Sequence, residues 1–249
     1  MYRAVGIVSN IKFNFLMIPL TYRSLSRYNR CSTGPRVFRT NHGANTGGAV
    51  IRRRLMLTKL KYGNTNTYLI RGTGGNLLVD TDWAGTLPAF CRAIKAQNLQ
   101  ICDISCVLST HYHPDHMGIT ADLTELGIPL VIFDVQLPYV HFSDGIYAKE
   151  KNRCFRPVDE SRAKILSCRE SREYLASLGI SGEVIHTPGH SEDSISVILD
   201  DGDAVVGDLT PYSALAASDD ETVQQSYETI LSRGVTQLHY GHMVSERVR

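Results

Sequence analysis

Residues 109–118 read STHYHPDHMG, directly behind the apolar run ICDISCVL at 101–108. Three histidines and an aspartate fall between His111 and His116. Such a segment is either a polar turn rich in imidazole or half of a metal site. In an extended-to-turn segment alternate side chains share a face. His111 and His113 can therefore meet one cation, while Asp115 and His116 lie round the bend, available to a second. Imidazole and carboxylate suit zinc, and also iron or manganese. One such segment supplies at most four ligands, so a two-metal site needs others from distant parts of the chain.

Those others stand at strand ends. TPGHS places His190 behind the strand-like EVIHT, VVGD places Asp208 at the end of an apolar strand, and HYGH places His242 behind the last strand. Strand-to-loop junctions are where an α/β sheet gathers its active-site groups. Taken singly, each is an ordinary turn or surface residue. The ordered set HxHxDH, GH, GD and GH reads as one site. His42, His141, His186 and His239 carry no such pattern and read as ordinary surface or core histidines.

The surrounding body alternates strands and helices. LTKLKY and NTYLIRG are short β-rich segments separated by the turn composition GNTN, and GGNLLVDTD is a third strand. LPAFCRAIKAQNL spaces Leu87, Phe90, Ala93, Ile94 and Leu99 as a helix does, with Pro88 acceptable in a first turn. ISCVLST reads as a buried strand, ADLTELGI as a helix stopped at Gly127, and PLVIF as a strand. Residues 134–160 read as irregular, with Pro138, Gly145 and Pro157; their aromatics Tyr139, Phe142, Tyr147 and Phe155 could cover the site, and Tyr212 could lie near it. SCRESREYLASLGI is a helix, followed by strands EVIHT, SISVILDD and DAVVGD. The helix DETVQQSYETILSRG and the strand VTQLHYG complete the body. The acidic first turn of that last helix suits its dipole. Strands at both ends with helices between them point to an α/β layered domain.

Of the chain's 26 Lys/Arg and 25 Asp/Glu, residues 1–55 hold ten basic and no acidic side chains, which leaves 16 and 25 for residues 56–249. A net-acidic body argues against a nucleic-acid tracking surface. The acid-free head divides from the body at Met56 and is expected to lie outside the core. Three readings compete for it: an organelle transit peptide, a basic disordered arm, or upstream sequence joined by a mis-called start. Met56 stands just before the first clean strand pattern, which favours the third. The six cysteines, Cys31, Cys91, Cys102, Cys106, Cys154 and Cys168, form no CxxC and read as reduced thiols of a cytoplasmic protein, or an organellar one if the head is a transit peptide. No apolar run approaches a membrane span.

On these motifs, residues 57–249 resemble the metallo-β-lactamase superfamily of metal-dependent hydrolases. The resemblance implies a four-layer αβ/βα sandwich with two metals at one edge of the facing sheets. It implies His111, His113 and His190 around one metal, Asp115, His116 and His242 around the other, and Asp208 bridging both. Asp80, ending LLVD, matches an aspartate that orients a ligand histidine. Departures narrow the subgroup. Zinc β-lactamases usually carry Cys or Ser near the place of Asp208. Glyoxalase II proteins add a helical glutathione-binding extension, whereas this chain stops seven residues after His242. The long nucleases add a domain or arm, flavo-diiron proteins have Glu at the position of His113, and the sulfur dioxygenases use one iron and fewer ligands. The implied chemistry is hydrolysis by a hydroxide held between two divalent ions, zinc first and iron or manganese as alternatives, with Asp115 as catalytic proton carrier. The expected substrate is a small ester, thioester or lactone. The alternatives are a phosphodiester, a β-lactam, or non-hydrolytic iron-dependent oxidation on the same fold.

Overall fold

The computed structural model describes residues 56–248; the readings of residues 1–55 lie outside them. The chain opens with β1 (Met56–Leu60), β2 (Thr67–Arg71) and β3 (Asn76–Val79), an antiparallel meander. Helix α1 (Leu87–Ala96) crosses to β4 (Ile104–Leu108), which lies parallel to β3. Pro88 stands in its first turn, where a missing N–H costs nothing. A single helical turn α2 (Pro114–Met117) and α3 (Thr120–Glu125) lead to β5 (Val131–Phe133). Next come α4 (Phe142–Lys149) and β6 (Lys164–Leu166), the latter parallel to β5.

The second half mirrors the first. Helix α5 (Ser171–Ser177) precedes β7 (Gly182–His186), β8 (Ile195–Leu199) and β9 (Asp203–Gly207), another antiparallel meander. Helix α6 (Glu221–Leu231) crosses to β10 (Gln237–Tyr240), parallel to β9, and the two-residue β11 (Glu246–Arg247) closes that edge. The acidic start of α6 is a working cap: Asp220 Oδ1 accepts from the N–H groups of Thr222 at 2.9 Å and Val223 at 3.3 Å. The sheets run β1-β2-β3-β4 and β11-β10-β9-β8-β7, with β5-β6 continuing from β4 through a Val107–Leu130 bridge.

Three apolar clusters account for the layers. Tyr68, Ile70, Leu77, Val79 and Leu108 meet Val184, Ile195, Val197 and Val205 between the two sheets. Leu69, Leu78 and Val107, on the other face of the first sheet, pack under Phe90, Ile94 and Leu123. Ile198, Val206 and Leu238 pack under Val223, Tyr227 and Ile230 of α6. Each sheet is thus covered on both faces, which is why ISVIL of β8 is buried at every position and is apolar except for Ser196, whose hydroxyl pairs with that of Thr187. The result is the four-layer αβ/βα sandwich that the resemblance implies. Emptying the fully buried Phe90 to alanine would cost about 3–5 kcal/mol.

Two segments differ from the sequence reading. Residues 134–160 hold a 3-10 turn, Asp134–Tyr139, and the helix α4, rather than irregular chain throughout. Gly145 and a helix face half polar hid α4 from a periodicity reading. Strand β6 went unread because two of its three residues are exposed.

Candidate metal centre

Every donor named from the sequence lies on the same edge of the sandwich, behind a strand. After β4 the chain bends at Thr110 and His111 and is extended at His113. Pro114 then starts the turn of α2, and the His116 N–H donates to the His113 carbonyl at 3.0 Å. Pro114 at the first helical position needs no N–H partner and presets the bend. That bend turns Asp115 and His116 away from His111 and His113. His190 follows β7, Asp208 follows β9 and His242 follows β10.

The donor atoms fall into groups. His111 Nε2 is 3.1 Å from His113 Nδ1, which is 3.0 Å from His190 Nε2. His116 Nε2 is 3.3 Å from His242 Nε2, and His242 Nε2 is 3.0 Å from Asp115 Oδ2. Asp208 Oδ2 stands between, 3.3 Å from both His116 Nε2 and His242 Nε2 and 3.8 Å from His190 Nε2. Three sets have all their donor atoms within 4.8 Å: His111/His113/His190, His111/His116/Asp208 and Asp115/His116/His242.

These residues fit divalent cations. Ring nitrogens facing one another cannot all donate, and ligands on a tetrahedral zinc stand about 3.3 Å apart at ordinary bond lengths. Asp208 Oδ1 is buried without a hydrogen-bond partner among the described residues. The space beside it is kept open by Gly241, where a Cβ would collide with Asp208 Oδ1 and His116 Cε1. A buried carboxylate oxygen left unpaired is costly unless something positive meets it.

Electrostatics divide the groups. Burial, then the adjacent imidazoles, holds His111 well below the usual histidine range; burial also lowers His113 and His190. Their nitrogens are neutral, the form that ligates. Burial alone would lower His116 too, but Asp80 and Asp208 overcome it and push it well above. Hydrogen bonds to Asp115 and Asp208 raise His242 to about 10. Burial raises Asp208 and Asp115, yet their imidazole partners hold both below the usual carboxylate range.

Asp80 occupies the position expected of an orienting residue. Its Oδ2 is 3.0 Å from His116 Nδ1 and accepts from Thr110 Oγ1 at 2.9 Å, while Oδ1 accepts from the Thr110 N–H at 2.6 Å. Thr110 Oγ1 is itself 3.1 Å from His111 Nδ1, so one carboxylate steadies histidines of both groups. Its backbone sits at φ 61°, a left-handed value uncommon outside glycine and frequent at constrained sites.

Of the aromatics expected over the site, Phe142 reaches it: its ring is 5.1 Å from that of His113, and it is half exposed. Tyr147 is buried and holds the loop from behind, its hydroxyl donating to the Pro114 carbonyl at 2.5 Å. Tyr212 packs on Tyr227. His141, His186 and His239 pair with Asp144, the Glu192 carbonyl and Ser245 respectively, apart from the donors; His42 lies outside the described residues. Thr110, Asn66 and Asp193 were not singled out from the sequence, although all three support the donor loops. Cys91, Cys102, Cys106, Cys154 and Cys168 are free thiols, and no described helix is long and apolar enough to cross a membrane.

Comparison with known proteins bears on this geometry. A probable metallo-hydrolase of Methanocaldococcus jannaschii is 30% identical over 156 residues, covering 61% of this chain and 71% of that protein. An atrochrysone carboxyl ACP thioesterase of Aspergillus fumigatus is 29% identical over 147 residues, covering 57% of this chain and 28% of that protein. The chain spans less than half the length of the fungal relatives it matches. Among solved structures, a metallo-beta-lactamase family protein from Thermus thermophilus, TTHA1429, has a TM-score of 0.58 at 20% identity, covering 78% of this chain and 74% of that one. TTHA1623 in a di-iron-bound form scores 0.57 at 23% identity, covering 77% and 94%. At those identities the likeness shows the fold alone. The sequence pattern described by the metallo-beta-lactamase superfamily model runs through residues 60–232. The chain therefore belongs to the metallo-β-lactamase superfamily, whose members are mostly metal-binding hydrolases.

Proposed function

We propose that the protein is a two-cation hydrolase that cleaves an ester, thioester or lactone, with thioesters the first class to test. One observation carries this reading: seven donors converge as two groups that share Asp208. In the proposed assignment His111, His113 and His190 would hold one cation, Asp115, His116 and His242 would hold the other, and Asp208 would serve both. Two divalent cations so held would supply Lewis acidity and would bring the pKa of a water down to about 7.

The chain's own residues do the rest. Asp80 keeps the His116 ring turned so that Nε2 faces the centre. Asp115, partly exposed at the mouth of the site, is placed to take a proton from the nucleophile and pass it to the leaving group. Phe142 offers an apolar surface beside His113 for the acyl part of a substrate. The curated fungal relatives named as ACP thioesterases support the thioester class.

The test is purified full-length protein, analysed for metal and assayed against thioesters, lactones, phosphodiesters and a β-lactam, with a metal-free control. The expected result is about two zinc per chain and thioester hydrolysis that vanishes on chelation and returns on reloading. A single iron with oxygen uptake and no hydrolysis would overturn it.

A further inference from the structure

The donors come from both halves of the sandwich, so each group works only if its two sides keep one spacing. Two separate sets of buried hydrogen bonds span the halves. Beside Asp115, His116 and His242 lies the loop between β1 and β2. Thr65 Oγ1 donates to the Asp115 carbonyl at 2.8 Å. Asn66 donates its side-chain Nδ2 to the carbonyls of Tyr240 at 2.9 Å and Met243 at 3.0 Å, and its backbone N–H to the Gly241 carbonyl at 2.6 Å. It thus grips the chain on both sides of His242. The Tyr68 hydroxyl adds a 2.8 Å bond to the same Tyr240 carbonyl. Thr65 and Asn66 are 0% and 3% exposed.

Beside His111, His113 and His190 the partners are different. Asp193, three residues past His190, accepts at 2.7 Å from the N–H of Tyr112, the residue between the first two histidines. Gln136 Nε2 donates to the carbonyls of Ser109 at 2.9 Å and Asp193 at 3.3 Å, tying the same two segments together. Asp193 and Gln136 are 2% and 0% exposed. None of these four side chains belongs to the seven donors; both sets reach the HxHxDH turn, at Asp115 and at Tyr112, but only the first grips the loop of His242 and only the second the loop of His190.

We infer that Asn66 with Thr65, and Asp193 with Gln136, are positioning residues that set the affinity of the two cation positions separately. The first pair governs Asp115–His116–His242 and the second governs His111–His113–His190. The inference rests on the two-cation reading of the site. The physical basis is that a ligand held a few tenths of an ångström off loses coordination energy, and removing its support typically costs 10- to 100-fold in metal affinity. A buried carbonyl left without its donor adds a tendency for the loop to move toward water.

The test is a Co²⁺ titration of the metal-free full-length protein, followed by visible absorption. A position with three imidazoles and one with two imidazoles and Asp115 give different ligand-field bands, so the two steps are separable. Asn66→Ala should weaken the Asp115-bearing step at least about tenfold and leave the other in place. Asp193→Ala should do the reverse, and Asp193→Asn, which keeps an acceptor for the Tyr112 N–H, should restore it. Thermal unfolding of the metal-free variants checks that the fold is kept. Should an alanine variant fail to fold, Asn66→Asp, which lacks the donor but keeps the shape, and Gln136→Met make the same comparison. Equal weakening of both steps by both variants, or no weakening by either, overturns the inference. If the wild type takes up two Co²⁺ but hydrolyses nothing, the hydrolase reading fails and this one stands. If it takes up no second Co²⁺, the two-cation reading fails and this one with it.

Discussion

In the N-terminal half one six-residue turn behind β4 carries four of the seven candidate donors; in the C-terminal half three strand ends, behind β7, β9 and β10, carry one each. The turn is shaped locally, by Pro114 and by the extended His113 before it. The three C-terminal donors owe their places to sheet register and to close approaches that only glycine allows. Gly207, at φ 58°, lies where a Cβ would meet Thr110 Oγ1 at 2.5 Å, and Gly241 abuts Asp208 itself. The shape of the turn is local, although Asp193 of the other half helps to hold it in place. Distributed order makes the second half the place where single substitutions should reach furthest.

The sharpest way to break that contrast is Asp208→Ala. This C-terminal carboxylate contacts histidines of both groups, so its loss should weaken both cation positions together. Turnover should fall by more than the factor of about 10–100 typical of losing a group that only supports a ligand. Metal analysis beside the hydrolysis assay checks this, and full retention of either cation would show that the carboxylate is not shared. Asp80→Ala is the N-terminal counterpart. It removes an orienting group rather than a donor, so about a 10- to 100-fold loss of metal affinity is expected, read by competition with a chromogenic chelator. A loss as large as that for Asp208→Ala would erase the distinction between holding a cation and steadying a ligand.

A smaller effect is expected at Phe142, which stands over His113 from a helix that belongs to neither set of donors. Phe142→Ala should raise KM for thioesters with apolar acyl groups several-fold, equivalent to about 1 kcal/mol of lost contact, with kcat nearly unchanged. A fall in kcat with KM unchanged would place the ring in the reaction rather than in binding.

The same contrast explains what could be read from the chain. His111, His113, Asp115 and His116 were legible because they are contiguous. His190, Asp208 and His242 were legible because each follows an apolar strand at a turn, and the layers because β8 and β9 are apolar on both faces. Helix α6 announced itself through its acidic first turn. The supports were not legible. Asn66 meets the Tyr240 carbonyl 174 residues away, and Asp193 meets Tyr112 across 81 residues. Backbone carbonyls leave no side-chain signature, so nothing in NTY or HSED reports such partners. Helix α4 failed for a different reason: Gly145 and a polar face remove both the propensity and the periodicity that mark a helix.

The smallest predicted effect tests whether the HxHxDH turn really separates its faces. Tyr112 lies between two candidate ligands, and alternation sends its side chain the other way, into the apolar cluster under α1 and α3. The ring is fully buried, burial pushes its phenol up, and its hydroxyl has no hydrogen-bond partner among the described residues. An unpaired buried hydroxyl is a net cost, whereas the ring is a net gain. Tyr112→Phe should therefore raise stability by about 1 kcal/mol, measured by denaturant unfolding of the metal-free protein. The bond from its backbone N–H to Asp193 does not involve the hydroxyl, so cation affinity should stay as it was. A loss of stability would mean that the hydroxyl is bonded after all. A change in cation affinity at constant stability would mean that the core face and the ligand face of the turn are coupled, and the local order of the N-terminal half would then depend on the packing behind it.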